Sequence, residues 1–265
     1  MSGQEPRKAL TIAGSDSGGG AGIEADLKTF TALRVYGLAA VTAVTAQNTL
    51  GVMGVHDIPA AFVAKQIDVV LDDIGADAVK SGMLSSADIV DAVAGCIEAH
   101  GVTQYVLDPV MISETGHPLL DANAMKRVIA RLFPLSLVVT PNLAEAEAIL
   151  GHPIEDEDAM RAAAAEMHAL GPRYVLIKGG HLSGPEAVDI LYDGTAWVRH
   201  AVPRIDTKNT HGTGCTYSAA IAAYLACGVA VPEAVVGAKA YVTGALQSGF
   251  DLGGGAGPLN HFWSM

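Results

Sequence analysis

The sequence predicts an α/β fold built on one largely parallel sheet, and three observations carry that prediction. Short β-branched or apolar runs alternate with longer helical segments from one end of the chain to the other. No Ser/Pro-rich linker, low-complexity tract or repeat breaks the alternation, so residues 1–265 are read as a single domain. Polar and glycine-rich residues collect where the expected strands end, which is where open α/β sheets keep their ligand crevice.

The elements follow in order. Strands are expected at 9–13, 40–46, 78–80, 105–107, 137–139 and 174–177, each a short apolar or Thr-containing run. Helices are expected at 21–33, 60–71, 87–100, 123–131, 143–150, 158–170, 216–227 and 233–247. Segments 187–191 and 196–199 flank Asp193-Gly194 and read as a hairpin on the edge of the sheet. The strand endings are Gly14-Ser15-Asp16, Gln47-Asn48, Ser81-Gly82, Asp108-Pro109, Thr140-Pro141-Asn142 and Lys178-Gly179-Gly180. Six such endings define one candidate site, and the pattern points to an enzyme.

Composition narrows the function. Half the residues are hydrophobic and 17% are charged, enough to bury a large core. The formal charge of -12 opposes broad attraction to nucleic acid or an anionic membrane, so handling phosphate needs local positive groups. Cys96, Cys215 and Cys227 lack CxxC or His-Cys spacing, which argues against a disulfide framework or zinc site and fits a reducing cytoplasm. The run 9–14 is too short for a secretory signal, and 217–231, interrupted by Gly228 and stopped by Pro232-Glu233, is shorter than a membrane span.

The most informative stretch is Asn209-Thr210-His211-Gly212-Thr213-Gly214-Cys215-Thr216, a glycine-rich turn ahead of a small-residue helix. Such a turn leaves the first helical N–H groups to converge on an anion, and Cys215 sits at the mouth of the hole. A plain helix start with a buried thiol is the competing reading. Gly14 through Gly22 follows the first strand, but it matches neither GxGxxG nor GxxxxGK[ST]; it is a flexible turn or a loop that lets a small substrate approach. Lys178 before two glycines is either a surface lysine or a cation for transferring phosphate oxygens. Asn142 and Glu145 have capping-box spacing, and a carboxylate there can also hold a magnesium-bound water. Asp108 before Pro109 can be a turn former. Gln47 carries an amide able to pair with a heterocycle's ring nitrogen and amine, or simply satisfied at a strand end. Met83 reads as core, and His211 as a hydrogen-bonded loop residue without an assigned role.

Taken together, from Ala9 to His261, these segments resemble the hydroxymethylpyrimidine/phosphomethylpyrimidine kinases of thiamine biosynthesis, in the ribokinase-like superfamily. The resemblance rests on residues 9–16, Gly19-Gly20-Ala21-Gly22 with Ala25-Asp26-Leu27-Lys28-Thr29, and Thr45-Ala46-Gln47-Asn48-Thr49. It rests equally on Gly82-Met83-Leu84, Thr140-Pro141-Asn142-Leu143, Lys178-Gly179-Gly180-His181 and residues 209–216. It implies a central sheet flanked by helices on both faces, a homodimer, and use of ATP and Mg2+ to phosphorylate 4-amino-5-hydroxymethyl-2-methylpyrimidine and then its monophosphate. By the same resemblance Gln47 reads the pyrimidine and Ala21, Val44, Met83 and Val110 wall it. Lys178, Thr213 and Asn142 serve the nucleotide, Asp108 and Glu145 the magnesium, and Gly212, Gly214 and Cys215 the anion hole.

Two departures and two rivals accompany this expectation. Relatives acting on sugars carry Asp where this chain has Cys215, and a thiol is a weaker base unless a positive field lowers its pKa. Similar family members often place Lys where Glu114 stands; either the loop faces solvent without touching substrate, or it approaches the substrate phosphate and the reversed charge hinders the second phosphorylation more than the first. Pyridoxal or pyridoxine kinases are the first rival, disfavoured by Ala46 to Thr49. A non-catalytic pyrimidine sensor is the second, disfavoured by Lys178, Glu145 and Cys215 standing together.

Overall fold

In a computed structural model, residues 5–111, 122–180 and 182–265 are described. They form β1 (Lys8–Asp16), α1 (Gly22–Ala32), β2 (Tyr36–Asn48), β3 (Gly51–Asp57), α2 (Ala60–Asp73), β4 (Ala78–Ser81) and α3 (Ala87–Ala99). Then come β5 (Tyr105–Leu107), α4 (Ala122–Arg127), β6 (Val138–Val139), α5 (Leu143–Leu150), α6 (Glu157–His168) and β7 (Tyr174–Gly179). The chain closes with β8 (Glu186–Tyr192), β9 (Trp197–Pro203), α7 (Thr213–Ala226) and α8 (Val231–Gln247). Glu114 and His181 lie outside the described residues.

One nine-stranded sheet has the order β3-β2-β1-β4-β5-β6-β7-β8-β9. β2, β1, β4, β5, β6 and β7 run parallel, while β3, β8 and β9 are joined antiparallel at the edges. Successive strand residues face opposite sides, and each side buries its own core. Leu10, Ile12, Val79, Tyr105, Leu107, Val139 and Ile177 pack with residues of α2, α3, α5 and α6. Ala9, Ala78, Val106, Val138 and Leu176 pack with Phe30 of α1 and the buried faces of α7 and α8. Helices therefore cover both faces of a ribokinase-like sheet, as the resemblance implied.

The differences from expectation have local causes. β2 is longer than 40–46, and β3, which was not expected, pairs back onto it after Thr49-Leu50; its few apolar residues are broken up by glycine and polar residues on a largely exposed edge. α8 starts at Val231 instead of 233 and takes Pro232 into its first turn, where a missing N–H costs nothing. The helix expected over 123–131 passes after Arg127 into a π-helical turn, Val128–Leu132, and then a tighter turn. α7 begins at Thr213 instead of 216, with Gly212 at its N-cap in the left-handed region, φ 85°.

Candidate functional site

The loop after β1 is organised by Asp16. Its carboxylate accepts from the backbone N–H groups of Gly18 (2.8 Å), Gly20 (3.0 Å) and Ala21 (2.9 Å), folding the glycine run around one buried acceptor. A fourth donor comes from across the fold: His211 Nε2 lies 2.8 Å from Asp16 Oδ2. Burial works to raise the Asp16 pKa, but the bonds from His211, Gly18 and Ala21 outweigh it and hold the group below the usual carboxylate range.

His211 immediately precedes the α7 start, so the same contact brings the anion-hole turn against the β1 loop. The approach is close enough that side chains at either glycine are excluded. A Cβ on Gly20 would strike the His211 ring, and one on Gly212 would strike the Gly20 carbonyl. No side chain caps α7. Thr213, expected among the nucleotide contacts, turns inward: its N–H (3.0 Å) and hydroxyl (2.5 Å) both donate to the Thr210 carbonyl. The hole is thereby narrowed to the N–H groups of Gly214 and Cys215, which have no acceptor within the helix.

Beside that hole stands a buried charge cluster. Lys178, at the end of β7, places Nζ 2.9 Å from Asp108 Oδ1, and a Cβ on Gly214 would lie 3.3 Å from the same Nζ. Asp108 also accepts from the Thr140 hydroxyl (3.1 Å) and the Ser218 hydroxyl (3.2 Å). Burial would raise its pKa, yet the fields of Lys178 and Lys80 keep it ionised. Asn142 and Glu145 form the capping box of α5, with Glu145 N–H donating to Asn142 Oδ1 (2.9 Å) and Asn142 N–H to Glu145 Oε2 (2.8 Å). Burial pushes Glu145 up to about 7; Lys178 pulls it down, and the neighbouring Asp108 pushes it further up. Asp108 and Glu145 feel one another's charge, and a pair of carboxylates so placed suits a hard divalent cation. Among the described residues no group of three or more His, Cys, Asp or Glu surrounds such a place, so most ligands would come from phosphate and water.

Cys215 remains a thiol. Burial pushes its pKa up to about 11, with Lys80 pulling down and Asp26 and Asp108 pushing up. The hole's positive field does not win, so the thiol suits a donor better than a base.

Gln47 lies on the other side of the α7 start. Its Nε2 is 3.5 Å from His211 Nε2, so the turn 211–214 meets the amide at one end and Lys178 at the other. Ala21, Met83 and Val110 are half-buried near these strand ends. Val44 is 47% exposed and alternates with Thr45 and Gln47, placing it on the face shared with Thr42, whose hydroxyl donates to the Met83 carbonyl (2.7 Å).

Three features escaped the sequence reading. Lys80 and Asp26, both fully buried, pair at 2.8 Å, with the Thr11 hydroxyl donating to Asp26 at 2.6 Å. A lysine inside the apolar strand 78–80 was the available signal. Asp189 of β8 accepts from Lys239 (2.6 Å), from the Tyr217 hydroxyl (3.0 Å) and from the Gly179 N–H (3.2 Å), tying α7 and α8 to the residue after Lys178. The third, the Asp16–His211 contact, joins residues 195 apart in sequence.

Comparisons with known proteins agree on a family. A family model described as phosphomethylpyrimidine kinase matches residues 16–260. The hydroxymethylpyrimidine/phosphomethylpyrimidine kinase of Streptomyces coelicolor is 51% identical over 262 residues, 98% of this chain and 96% of the relative. The thiamine biosynthesis bifunctional protein ThiED of Geobacter sulfurreducens is 53% identical over 252 residues, 95% of this chain, which spans 51% of that longer protein. Among solved structures, phosphomethylpyrimidine kinase from Clostridium difficile gives a TM-score of 0.80 at 45% identity, covering 89% of this chain and 98% of that one. An ADP complex of Bacillus subtilis pyridoxal kinase gives 0.90 at 41% identity, covering 97% and 98%.

Proposed function

This chain belongs to the phosphomethylpyrimidine kinase family, and from that premise we propose that it phosphorylates 4-amino-5-hydroxymethyl-2-methylpyrimidine and then the resulting monophosphate, with ATP as donor, in thiamine biosynthesis. The observation that carries the reading is the turn 211–214, which touches a heterocycle-reading amide at one end and the Lys178–Asp108 pair at the other. That order puts a bound alcohol and a phosphoryl donor on either side of one anion hole.

In this reading Gln47 orients the pyrimidine, and Ala21, Met83 and Val110 exclude water around it; Val44 faces the other side of β2. The glycines of the β1 loop let the hydroxymethyl oxygen come near the α7 start. As that oxygen bonds to the terminal phosphorus, the bond from phosphorus to the leaving nucleoside diphosphate breaks, and the hydroxyl proton passes to an oxygen of the transferred phosphoryl group and from there to water. Gly214 and Cys215 N–H groups stabilise the charge on the transferring oxygens, with Gly212 shaping the turn and Lys178 neutralising the nucleotide phosphates. The Cys215 thiol donates a hydrogen bond and takes no proton. Asp108 and Glu145, with phosphate and water, would hold magnesium, which would supply further charge neutralisation. Asn142 acts through the cap that holds Glu145 in place. The ADP complex of the pyridoxal kinase relative supports a nucleotide donor.

The assembly proposed is a homodimer in the cytoplasm, with no nucleic-acid or membrane partner. Support comes from the exposed apolar side chains Val44, Met53, Val55 and Phe62 on and beside the open β2–β3 edge, and from three free cysteines. No helix among the described residues is long and apolar enough to cross a membrane. The test is product identification: purified chain, ATP, magnesium and the hydroxymethylpyrimidine should yield mono- and then diphosphate by mass spectrometry. The likeness to pyridoxal kinase makes pyridoxal the necessary second substrate. No phosphorylated pyrimidine, or a clear preference for pyridoxal, would overturn the assignment.

A further inference from the structure

The Gln47 amide can present its oxygen and nitrogen in either of two orders, related by a half-turn, and the order decides which ring edge it can read. In the structure Oε1 faces Thr45 Oγ1 at 3.2 Å and Nε2 faces His211 Nε2 at 3.5 Å. Hydrogen counting on these two neighbours favours the opposite order.

Thr45 has one hydroxyl hydrogen. The Ser15 carbonyl, 2.9 Å away, can only accept, so that hydrogen is committed to it and the hydroxyl offers Gln47 lone pairs. His211 Nε2 lies 2.8 Å from an Asp16 carboxylate that already accepts from Gly18, Gly20 and Ala21. A carboxylate has no hydrogen to give, so Nε2 carries one, whether the ring is neutral or charged, and it cannot accept from a Gln47 N–H. Turning the amide over removes both conflicts. Its NH2 then donates to the Thr45 hydroxyl, and its oxygen, in place of an N–H, lies beside the imidazole N–H that Asp16 already accepts.

We infer that Thr45 and His211 are specificity-determining residues that fix the amide order of Gln47, so that it reads a ring edge carrying an amine donor beside an unprotonated ring nitrogen and refuses the reversed edge. With one amide hydrogen given to Thr45 and the oxygen on the His211 side, one hydrogen and an oxygen lone pair remain for the ligand. A 4-aminopyrimidine supplies the matching acceptor and donor. A 4-oxopyrimidine, with its carbonyl beside a ring N–H, presents them the wrong way round, and buried polar groups left unpaired are what make such discrimination steep. Thr45 is buried and His211 nearly so, which keeps water from satisfying the wrong order.

The inference rests on the proposed pyrimidine kinase activity, and the test separates the two. The ratio of kcat/KM for the 4-amino substrate to that for its 4-oxo analogue is measured for the unmodified chain, Thr45→Ser and Thr45→Val. Thr45→Val, which keeps the shape and removes the lone pairs, should lower the ratio about tenfold through KM, with kcat on the amino substrate held, while Thr45→Ser keeps the ratio. A folded Thr45→Val variant with an unchanged ratio overturns the inference. Independently of any substrate, nuclear Overhauser contacts from the Gln47 side-chain NH2 should reach Thr45; contacts to the His211 ring in their place also overturn it. If the unmodified chain phosphorylates neither pyrimidine, the functional reading fails, and the spectroscopy still decides the amide order.

Discussion

Alkylation of Cys215 provides a sharp test of the charge distribution in the anion hole. A thiol with its pKa near 11 exposes about one thiolate in a thousand at pH 8, whereas an ordinary cysteine near 8.5 exposes about a quarter. Cys227 is exposed and serves as the internal reference. Iodoacetamide at pH 8, followed by peptide mass spectrometry, should therefore label Cys215 on the order of a hundredfold more slowly than Cys227. Limited access alone could slow the reaction, so the pH profile carries the argument: the Cys215 rate should keep rising about tenfold per unit through pH 10, while an ordinary thiol levels off near 9. The folded pKa is raised above that of an ordinary thiol, so the same thiol contributes stability that is complete below about 8.5 and is lost as pH rises toward 11. A Cys215 rate that levels off by pH 8 would refute the neutral-donor account and restore a catalytic base.

Other substitutions probe the remaining parts of the site. Gln47→Leu should raise KM for the pyrimidine by a factor equivalent to about 1–3 kcal/mol and leave nucleotide affinity unchanged; equal KM values for mutant and parent would remove Gln47 from the site. Lys178→Ala should lower kcat by roughly two orders of magnitude and weaken nucleotide binding together, read from steady-state kinetics and calorimetry; unaltered nucleotide affinity would contradict its placement. Lys80→Met leaves a fully buried Asp26 carboxylate without its cation and should cost about 3–5 kcal/mol in urea unfolding, a loss under 1 kcal/mol showing that the pair is not a structural clamp.

The frame of the fold was legible because parallel strands buried on both faces leave near-continuous apolar runs, as at Tyr105–Leu107 and Tyr174–Gly179. β3 was not, since an edge strand with Gly51, Gly54, His56 and Asp57 need bury only one side and carries no such run. The start of α7 was placed three residues late for a related reason. Gly214 has poor helix propensity, and its place inside the helix is set by packing against Lys178, which no local pattern announces. At the candidate site, Lys178, Asp108, Asn142 and Glu145 could be singled out because each ends a strand or opens a helix, and the structure pairs Lys178 with Asp108 and Asn142 with Glu145. Asp16 with His211 and Asp26 with Lys80 were missed because each pair is assembled only when the sheet closes, across 195 and 54 residues. His211 thus drew no role from sequence, although it holds the two glycine turns together.

The account stands most directly on one side-by-side measurement: kcat/KM of the purified chain, with ATP and magnesium, for the hydroxymethylpyrimidine, its monophosphate and pyridoxal. The architecture of Gln47, the 211–214 turn and Lys178 predicts turnover of both pyrimidines and a lower value for pyridoxal. Pyridoxal turned over faster than either pyrimidine, or no phosphoryl transfer to any of the three, would contradict it.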